Sequence, residues 1–411
     1  MLTNETTPWK LKFATIISGQ TVSLIGSSAV QFALIWWLAV KSDSALVMAL
    51  SGLFAFLPQA LLGPWVGVWI DRLNRKRIVI IADMFMGIVA FFFALSFYFS
   101  TPVYWLAYLV IGVRAVASVF HSPSIQAIVP LLVPKDELVR ANGWSQFLQS
   151  GALMLGPVLG ALMYAALPMH IILATDLLGA IVACITMGVT KIPELPVKGT
   201  SASNFLYELK DGALVFIQDK KLGAITIITT LCMVFFMPLA SYYPLMTSSY
   251  FNGTAWHAGL VELLYAVGMM AASLLVGLRG AIKQKFFMIH LGLLGIGVTA
   301  LACGLLPPSM SYFALYTIFC CIMGACGNLF NIPYVAYIQE TVALEKQGRT
   351  FSLMGSLISL SMPAGLLLSG PIAESKGVAF WFFLSGIAVI LLTLISQLWI
   401  WQIGRSHTAS D

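Results

Sequence analysis

Four ionisable side chains, Asp83, Arg114, Asp176 and Glu262, stand inside long apolar runs of a chain in which only 9% of residues are charged. A charge held in hydrocarbon costs at least ~2.5–3.5 kcal/mol on insertion scales, so such residues persist where they bind, relay or balance charge. Loss of water favours the neutral form of a carboxylate, which suits a group that takes up and releases protons near neutral pH. A second concentration of charge lies outside the runs. The stretch GVWIDRLNRKR at 67–77 packs Asp71, Arg72, Arg75, Lys76 and Arg77 into seven residues between two apolar segments.

What positions these residues is set by composition. Hydrophobic residues make up 59% without counting glycine, whereas a soluble domain sits near about 45–50% with glycine included. A helix that crosses a bilayer needs about 20 mostly apolar residues, because each backbone amide must find its partner within the segment. Twelve runs meet that requirement: 13–39, 46–70, 78–99, 103–124, 142–165, 168–190, 222–247, 258–278, 286–306, 311–337, 351–372 and 379–403. The start, MLTNETTPWKLK, is polar and leads into a run too long for a cleavable signal core, so span 1 is expected to be retained. The predicted fold is all-α and integral to the membrane, with twelve transmembrane helices.

Orientation follows from the basic residues. With both termini cytoplasmic, of the 22 Lys and Arg only Lys41, Lys376 and Arg114 fall outside the inner segments, a strong positive-inside bias. The net charge of +6 then reflects topology and gives no reason to expect nucleic acid as a partner. On this arrangement Asp83 sits about 8 Å in from the cytoplasmic end of span 3 and Arg114 near mid-depth in span 4. Asp176 sits about 12 Å from the outer end of span 6, and Glu262 about 8 Å from the outer end of span 8. Asp176 and Glu262 thus lie in the half facing outward, where protons enter; all four are candidates for proton coupling or for meeting substrate charge.

The longest polar interruption separates six spans from six. The expected organisation is an N-terminal six-helix bundle over 1–190, a cytoplasmic linker over 191–221 and a C-terminal six-helix bundle over 222–411. Within the linker FLYELKDGALVFIQ has apolar residues at helical spacing and suits an amphipathic helix on the inner membrane surface. The halves also echo one another. GLRGAIKQK follows span 8 as GVWIDRLNRKR follows span 2, Pro363 in span 11 answers Pro157 in span 5, and Pro333 in span 10 answers Pro123 in span 4. Paired proline interruptions in two halves point to a transporter cavity.

Uncharged polar and aromatic residues within the spans extend the candidate list. Gln20, Gln31, Gln146, Gln149, Asn328 and Asn331 could line a cavity or bond between helices. Trp36, Tyr242 and Tyr265 could stack on a bulky amphipathic ligand or belong to the interfacial belts. The six cysteines lack metal-ligand spacing and read as small apolar residues. No HExxH, nucleophile elbow or phosphate-binding glycine loop is present, so neither an enzyme, nor a bound cofactor, nor ATP binding by this chain is expected.

Gly67, Asp71, Arg72, Arg75, Lys76 and Arg77 resemble the loop signature between helices 2 and 3 of the major facilitator superfamily. Asn74 stands where that family usually has Gly, a position at which Asn tolerates the same left-handed turn. Arg114 in IGVRAVAS resembles the family's helix 4 arginine motif. SGALMLGPVLGA resembles its antiporter motif through Gly156, Pro157 and Gly160, with Gly151 one place early and Ala161 replacing the second glycine of the closing pair. WKLKF, GQTVSLIGSSAVQ, FHSPSIQAIVPLLVP between spans 4 and 5, FNGT, and GRTFSLMGSLISLSMPAG are similar to the macrolide-efflux branch of the drug:proton antiporters. The resemblance implies two pseudo-symmetric bundles and alternating access, with Asp71 capping the inner end of span 11 and pairing with nearby arginines when the transporter is open outward. It further implies a monomeric transporter of the bacterial cytoplasmic membrane that exports small amphipathic drugs against protons. Within the same superfamily, an exporter of a siderophore or peptide, or an importer of a small metabolite, is the alternative.

Overall fold

The structure is a computed structural model that describes residues 9–42, 45–99, 103–193, 205–280, 282 and 284–408. Residues 194–204 of the linker and Lys283 of the second basic cluster lie outside the described residues.

Among the described residues the chain is helical throughout, with no strand. The helices of the first half are α1 (Trp9–Ser42), α2 (Ala45–Arg72), α3 (Arg75–Phe99), α4 (Tyr104–Leu132), α5 (Leu138–Ala166) and α6 (Met169–Val189). After them come α7 (Phe205–Gln218), α8 (Lys220–Leu245), α9 (Ala255–Arg279), α10 (Lys285–Leu305), α11 (Phe313–Thr341), α12 (Gln347–Lys376) and α13 (Val378–Thr408). Every one except α7 contains a segment long and apolar enough to cross a membrane. Several overrun the expected spans, because hydropathy marks only the hydrocarbon-depth portion while the helix continues into the interface. The largest difference is at α4. The span was expected to end at 124, within FHSPSIQAIVPLLVP, yet α4 runs on to Leu132 with Pro123 and Pro130 inside it; interior prolines are tolerated in transmembrane helices when neighbouring groups satisfy the freed carbonyls.

Compactness divides the chain into two units. Unit 1 comprises 1–138, 151–210 and 342–356; unit 2 comprises 139–150, 211–341 and 357–411. In unit 1, α3 packs on α6 and α4, α2 on α4, and α1 on α6. In unit 2, α10 packs on α13 and α11, α9 on α11, and α8 on α13. These are the same pairings six transmembrane helices later, so the two bundles are built to one plan.

Each unit buries its own apolar centre. In unit 1, Leu34, Trp37 and Leu38 of α1 meet Phe93 of α3, Val110 and Ile111 of α4 and Ile172 of α6. In unit 2 the centre is aromatic, with Tyr243, Phe251, Tyr316 and Phe382 joined through ring centroids 5.0–6.3 Å apart. Large apolar residues such as Ile81, Phe92, Leu162 and Leu367 are exposed, as a surface that meets lipid instead of water requires. Hydroxyls inside the helices turn back on their own backbone, as Thr226 does to the carbonyl of Leu222 at 2.7 Å and Thr393 to that of Val389 at 2.7 Å; the hydrogen bond is then closed within one helix.

The stretch FLYELKDGALVFIQ is α7, and a single residue, Asp219, separates it from α8. Asp219 Oδ1 accepts the N–H groups of Lys221 and Leu222, each at 3.0 Å, while Tyr337 OH donates to Oδ2 at 2.9 Å. One carboxylate therefore caps a helix and ties it to α11. Asp219→Ala should destabilise the protein by about 2–4 kcal/mol, a helix cap plus one charge-assisted hydrogen bond, and Asp219→Asn should lose less than half of that. Thermal unfolding in detergent followed by tryptophan fluorescence measures the difference.

Candidate functional site

The loop after α2 brings a carboxylate to the first turn of α12. Asp71 Oδ1 accepts the N–H of Gly348 at 2.8 Å, and Oδ2 accepts the backbone N–H of Arg349 at 3.1 Å and its Nε at 2.9 Å. These are orphan amides of a helix N-terminus, where the helix dipole favours a negative charge. Arg75, one turn on, donates Nη2 to Asp71 Oδ1 at 3.1 Å and to the carbonyl of Leu344, and Nη1 to the carbonyl of Ala127 at 2.9 Å. Asp71 and Arg75 are buried, with side chains 2% and 5% exposed. Glycine makes the approach possible. A Cβ on Gly67 would lie 2.5 Å from the Cα of Arg349, and one on Gly348 would lie 2.5 Å from Asp71 Oδ1.

The rest of the loop anchors α3. Lys76 Nζ donates to the carbonyls of Gly188 and Thr190 at 2.8 and 2.9 Å, a cation on the last carbonyls of α6. Asn74 departs from the left-handed turn expected of it. Among the described residues Asn252 is the one non-glycine with positive φ; Asn74 Oδ1 instead accepts the N–H of Arg77 at 3.1 Å and caps α3. Arg72 is half-buried and Arg77 exposed.

Deeper in unit 1 the charged residues fall into two layers. In one, Arg114 of α4 pairs with Asp176 Oδ2 of α6, and Ser27 of α1 donates to Asp176 Oδ1 at 2.6 Å. In the other, Asp83 of α3 accepts Gln20 Nε2 of α1 at 2.9 Å on Oδ2 and faces His121 Nε2 of α4 at 3.1 Å with Oδ1. Gln20 Oε1 lies 3.0 Å from the same His121 nitrogen. Asp83 thus meets a histidine and an amide, and its observed partners are not the loop arginines. Gln20 and Ser27 are seven residues apart on α1, as are Arg114 and His121 on α4, so two turns, about 10 Å, separate the layers.

The network around Asn328 in unit 2 is built differently, from neutral groups. Asn328 Nδ2 is shared among Ser150 Oγ at 3.1 Å, the Met269 carbonyl at 3.1 Å and Ser273 Oγ at 2.8 Å, while Gln146 Nε2 donates to Asn328 Oδ1 at 3.3 Å. Asn142 Nδ2 donates to Gln339 Oε1 at 2.6 Å. Tyr242 OH bonds Ser369 Oγ at 2.8 Å, and the Tyr265 ring lies 5.8 Å from that of Tyr243. Glu262 is exposed on α9, one turn before Tyr265.

The remaining candidates are scattered. Gln31 and Asn331 are half-buried, and Gln149 is exposed. Trp36 is exposed and stacks on Phe32 at 6.1 Å. Gly156 and Gly160, either side of Pro157, fit α5 closely to α1; added Cβ atoms there would lie 2.3 Å from Ser28 Cβ and 2.5 Å from the Ala29 carbonyl oxygen. No group of three or more metal-ligating side chains occurs among the described residues. Reasoning from sequence missed Ser27, His121, Asn142, Gln339, Gly348 and Arg349. The signal for two of them was present, since His121 and Ser27 stand seven residues from Arg114 and Gln20.

Comparison with known proteins agrees with this construction. The family description Major Facilitator Superfamily matches residues 16–321. The chain is 39% identical over 389 residues to Macrolide efflux protein A of Streptococcus pyogenes, covering 94% of this chain and 95% of that protein. It is 37% identical over 325 residues to Macrolide efflux protein A of Enterococcus faecalis, covering 79% of this chain and 99% of that protein. Among solved structures, the human organic anion transporter MFSD10 shares the fold with a TM-score of 0.78 over 95% of this chain and 100% of that one, at 15% identity.

The carboxylate at the first turn of α12 makes a direct prediction. Asp71→Asn should leave the protein folded but raise hydrogen–deuterium exchange at the amides of Gly348 and Arg349 by about tenfold or more, the equivalent of about 1.4 kcal/mol. Unchanged exchange at both amides would mean that the carboxylate does not hold the turn.

Proposed function

The chain belongs to the major facilitator superfamily, a family of membrane transporters and not of enzymes, and on that premise we propose that it exports macrolides and similar amphipathic drugs by proton antiport. The observation that carries this reading is the nearly full-length likeness to Macrolide efflux protein A at 39% identity. The moving bodies are the six-helix halves 1–190 and 222–411, joined by the linker 191–221. The protein works as a monomer in the bacterial cytoplasmic membrane, with both termini in the cytoplasm, and uses no ATP of its own. A small substrate crosses the bilayer as the halves alternate.

Two parts of the site have roles in this cycle. The loop of Asp71, Arg75 and Arg349 is a latch that holds in one state and must release in the other. Its contacts are buried and few, and those to the first turn of α12 converge on one carboxylate, so a single separation of α2 from α12 breaks them together. The ion pair of Arg114 with Asp176, held by Ser27, places charge where a proton or a cationic drug can exchange with it, and Glu262 offers an acid on the other half.

Energetics sets what the exchange can achieve. A ~100 mV potential contributes about 2.3 kcal/mol per net charge moved, and each pH unit adds about 1.4 kcal/mol. A drug with one positive charge leaving for one proton moves no net charge, so only the pH gradient drives it. A neutral drug uses both.

Expression in a drug-sensitive bacterium should raise inhibitory concentrations for macrolides, and a protonophore should remove that protection. Asp71→Asn should also remove it while the protein remains in the membrane in normal amount. In proteoliposomes with an imposed pH step, neutralising Asp176 or Glu262, to Asn and Gln respectively, should uncouple drug accumulation from the gradient. Accumulation equal to the original protein in both variants would exclude both acids as carriers.

A further inference from the structure

The two charged layers of unit 1 differ in one chemical respect. Asp176 is balanced by Arg114, a guanidinium that stays charged at any physiological pH. Asp83 is balanced by His121, whose charge depends on a proton. The geometry fixes which ring nitrogen carries hydrogen. Both atoms facing His121 Nε2, Gln20 Oε1 at 3.0 Å and Asp83 Oδ1 at 3.1 Å, are acceptors, and the Gln20 amide is held in that orientation because its Nε2 donates to Asp83 Oδ2 at 2.9 Å. Nε2 therefore bears the hydrogen, and Nδ1 is where a further proton is gained or lost. With Nδ1 bare, the layer has the net charge of the Asp83 carboxylate; with Nδ1 protonated, it is neutral.

We propose that Asp83, His121 and Gln20 form a proton-binding site within the amino-terminal bundle, with His121 Nδ1 as the atom that takes and gives the proton. A proton from water adds to the Nδ1 lone pair and makes an imidazolium; its return to water restores the imidazole, and no other bond changes. Access is through the histidine. The Asp83 side chain is 3% exposed and that of His121 19%, so the carboxylate is shielded and the ring is the more open of the two. Gln20 positions the pair by fixing its polarity and does not itself titrate.

The surrounding charges leave this role to His121. On α3, Arg75 is held by Asp71 and the Ala127 carbonyl, and Lys76 by the end of α6; Arg77 is exposed and Tyr98 lies four turns away. On α4, Arg114 is paired with Asp176, and Tyr104 and Tyr108 stand in the opposite half. On α1 the ionisable residues are Lys10, Lys12 and Lys41 near its ends, and α2 contributes Asp71 and Arg72 at its last turn. On α6 they are His170, Asp176 and Cys184, the last donating Sγ to the Ile80 carbonyl at 3.4 Å one turn from Asp83. The short turn Leu344–Lys346 that also touches α4 adds Glu345 and Lys346.

The site goes beyond the exporter reading, since it can be tested without any drug. The chain has five histidines, so 13C-histidine-labelled protein in nanodiscs gives few resonances, and His121→Gln identifies the one at issue. That resonance, followed from about pH 5 to 9, should move with pH in the original protein, and Asp83→Asn and Gln20→Met should each alter its response. A resonance that does not move over this range, or one whose response in both variants equals that of the original protein, overturns the proposal. In proteoliposomes the rate of erythromycin transport should vary at least about threefold across the same range and less than about 1.5-fold in His121→Gln or His121→Asn. A pH profile in both histidine variants equal to that of the original protein also overturns it. If the resonance behaves as expected while erythromycin is not transported at all, the macrolide assignment fails and the proton site stands.

Discussion

A charge within a bilayer has to be balanced inside the protein, because no water is present to do it. Unit 1 balances three buried carboxylates, two within its spans and one at the end of α2, in three ways. Asp71 is balanced by a helix N-terminus and two arginines, Asp176 by one arginine and a serine, and Asp83 by a histidine and an amide. These pairings join α1, α3, α4 and α6 through polar side chains as well as through their apolar faces. A residue of α1 and a residue of α4 contribute to each deep layer, so both helices must keep the same register over two turns.

Unit 2 shares the packing plan but not the electrostatics. Its internal polar centre is Asn328 with Gln146, Ser150 and Ser273, all neutral. Neutral hydrogen bonds between helices are each worth only about 0.6 kcal/mol in membrane proteins, and they change little with pH or salt. Two bundles of the same packing plan thus differ in their deep polar groups, ion pairs in one and neutral hydrogen bonds in the other.

The sequence made the twelve crossings legible because hydropathy is a local property, and the buried charges legible because they are rare against an apolar background. What it did not reveal was partnership. Asp83 could be seen as buried, but that it meets His121 depends on α3 lying against α4, and His121, near the end of the expected span 103–124, carried no local sign of a partner. Asn74 was misread for a related reason. A left-handed turn and a helix cap both favour asparagine, and only the position of the Arg77 amide separates them. Gly67 and Gly348 were different again: the need for glycine at either comes from a neighbour about 280 residues distant in the chain, beyond the reach of any local pattern.

The junction of α7 and α8 has a mechanical consequence. Backbone hydrogen bonds run unbroken on both sides of Asp219, from its N–H to Val215 and from Gly223 back to its carbonyl. The carbonyl of Phe216 sits so close to Gly223 that an added Cβ would lie 2.0 Å away. No slack exists at this elbow. Two helices joined this tightly turn as one lever, so a displacement of α7 arrives at α8 as torque.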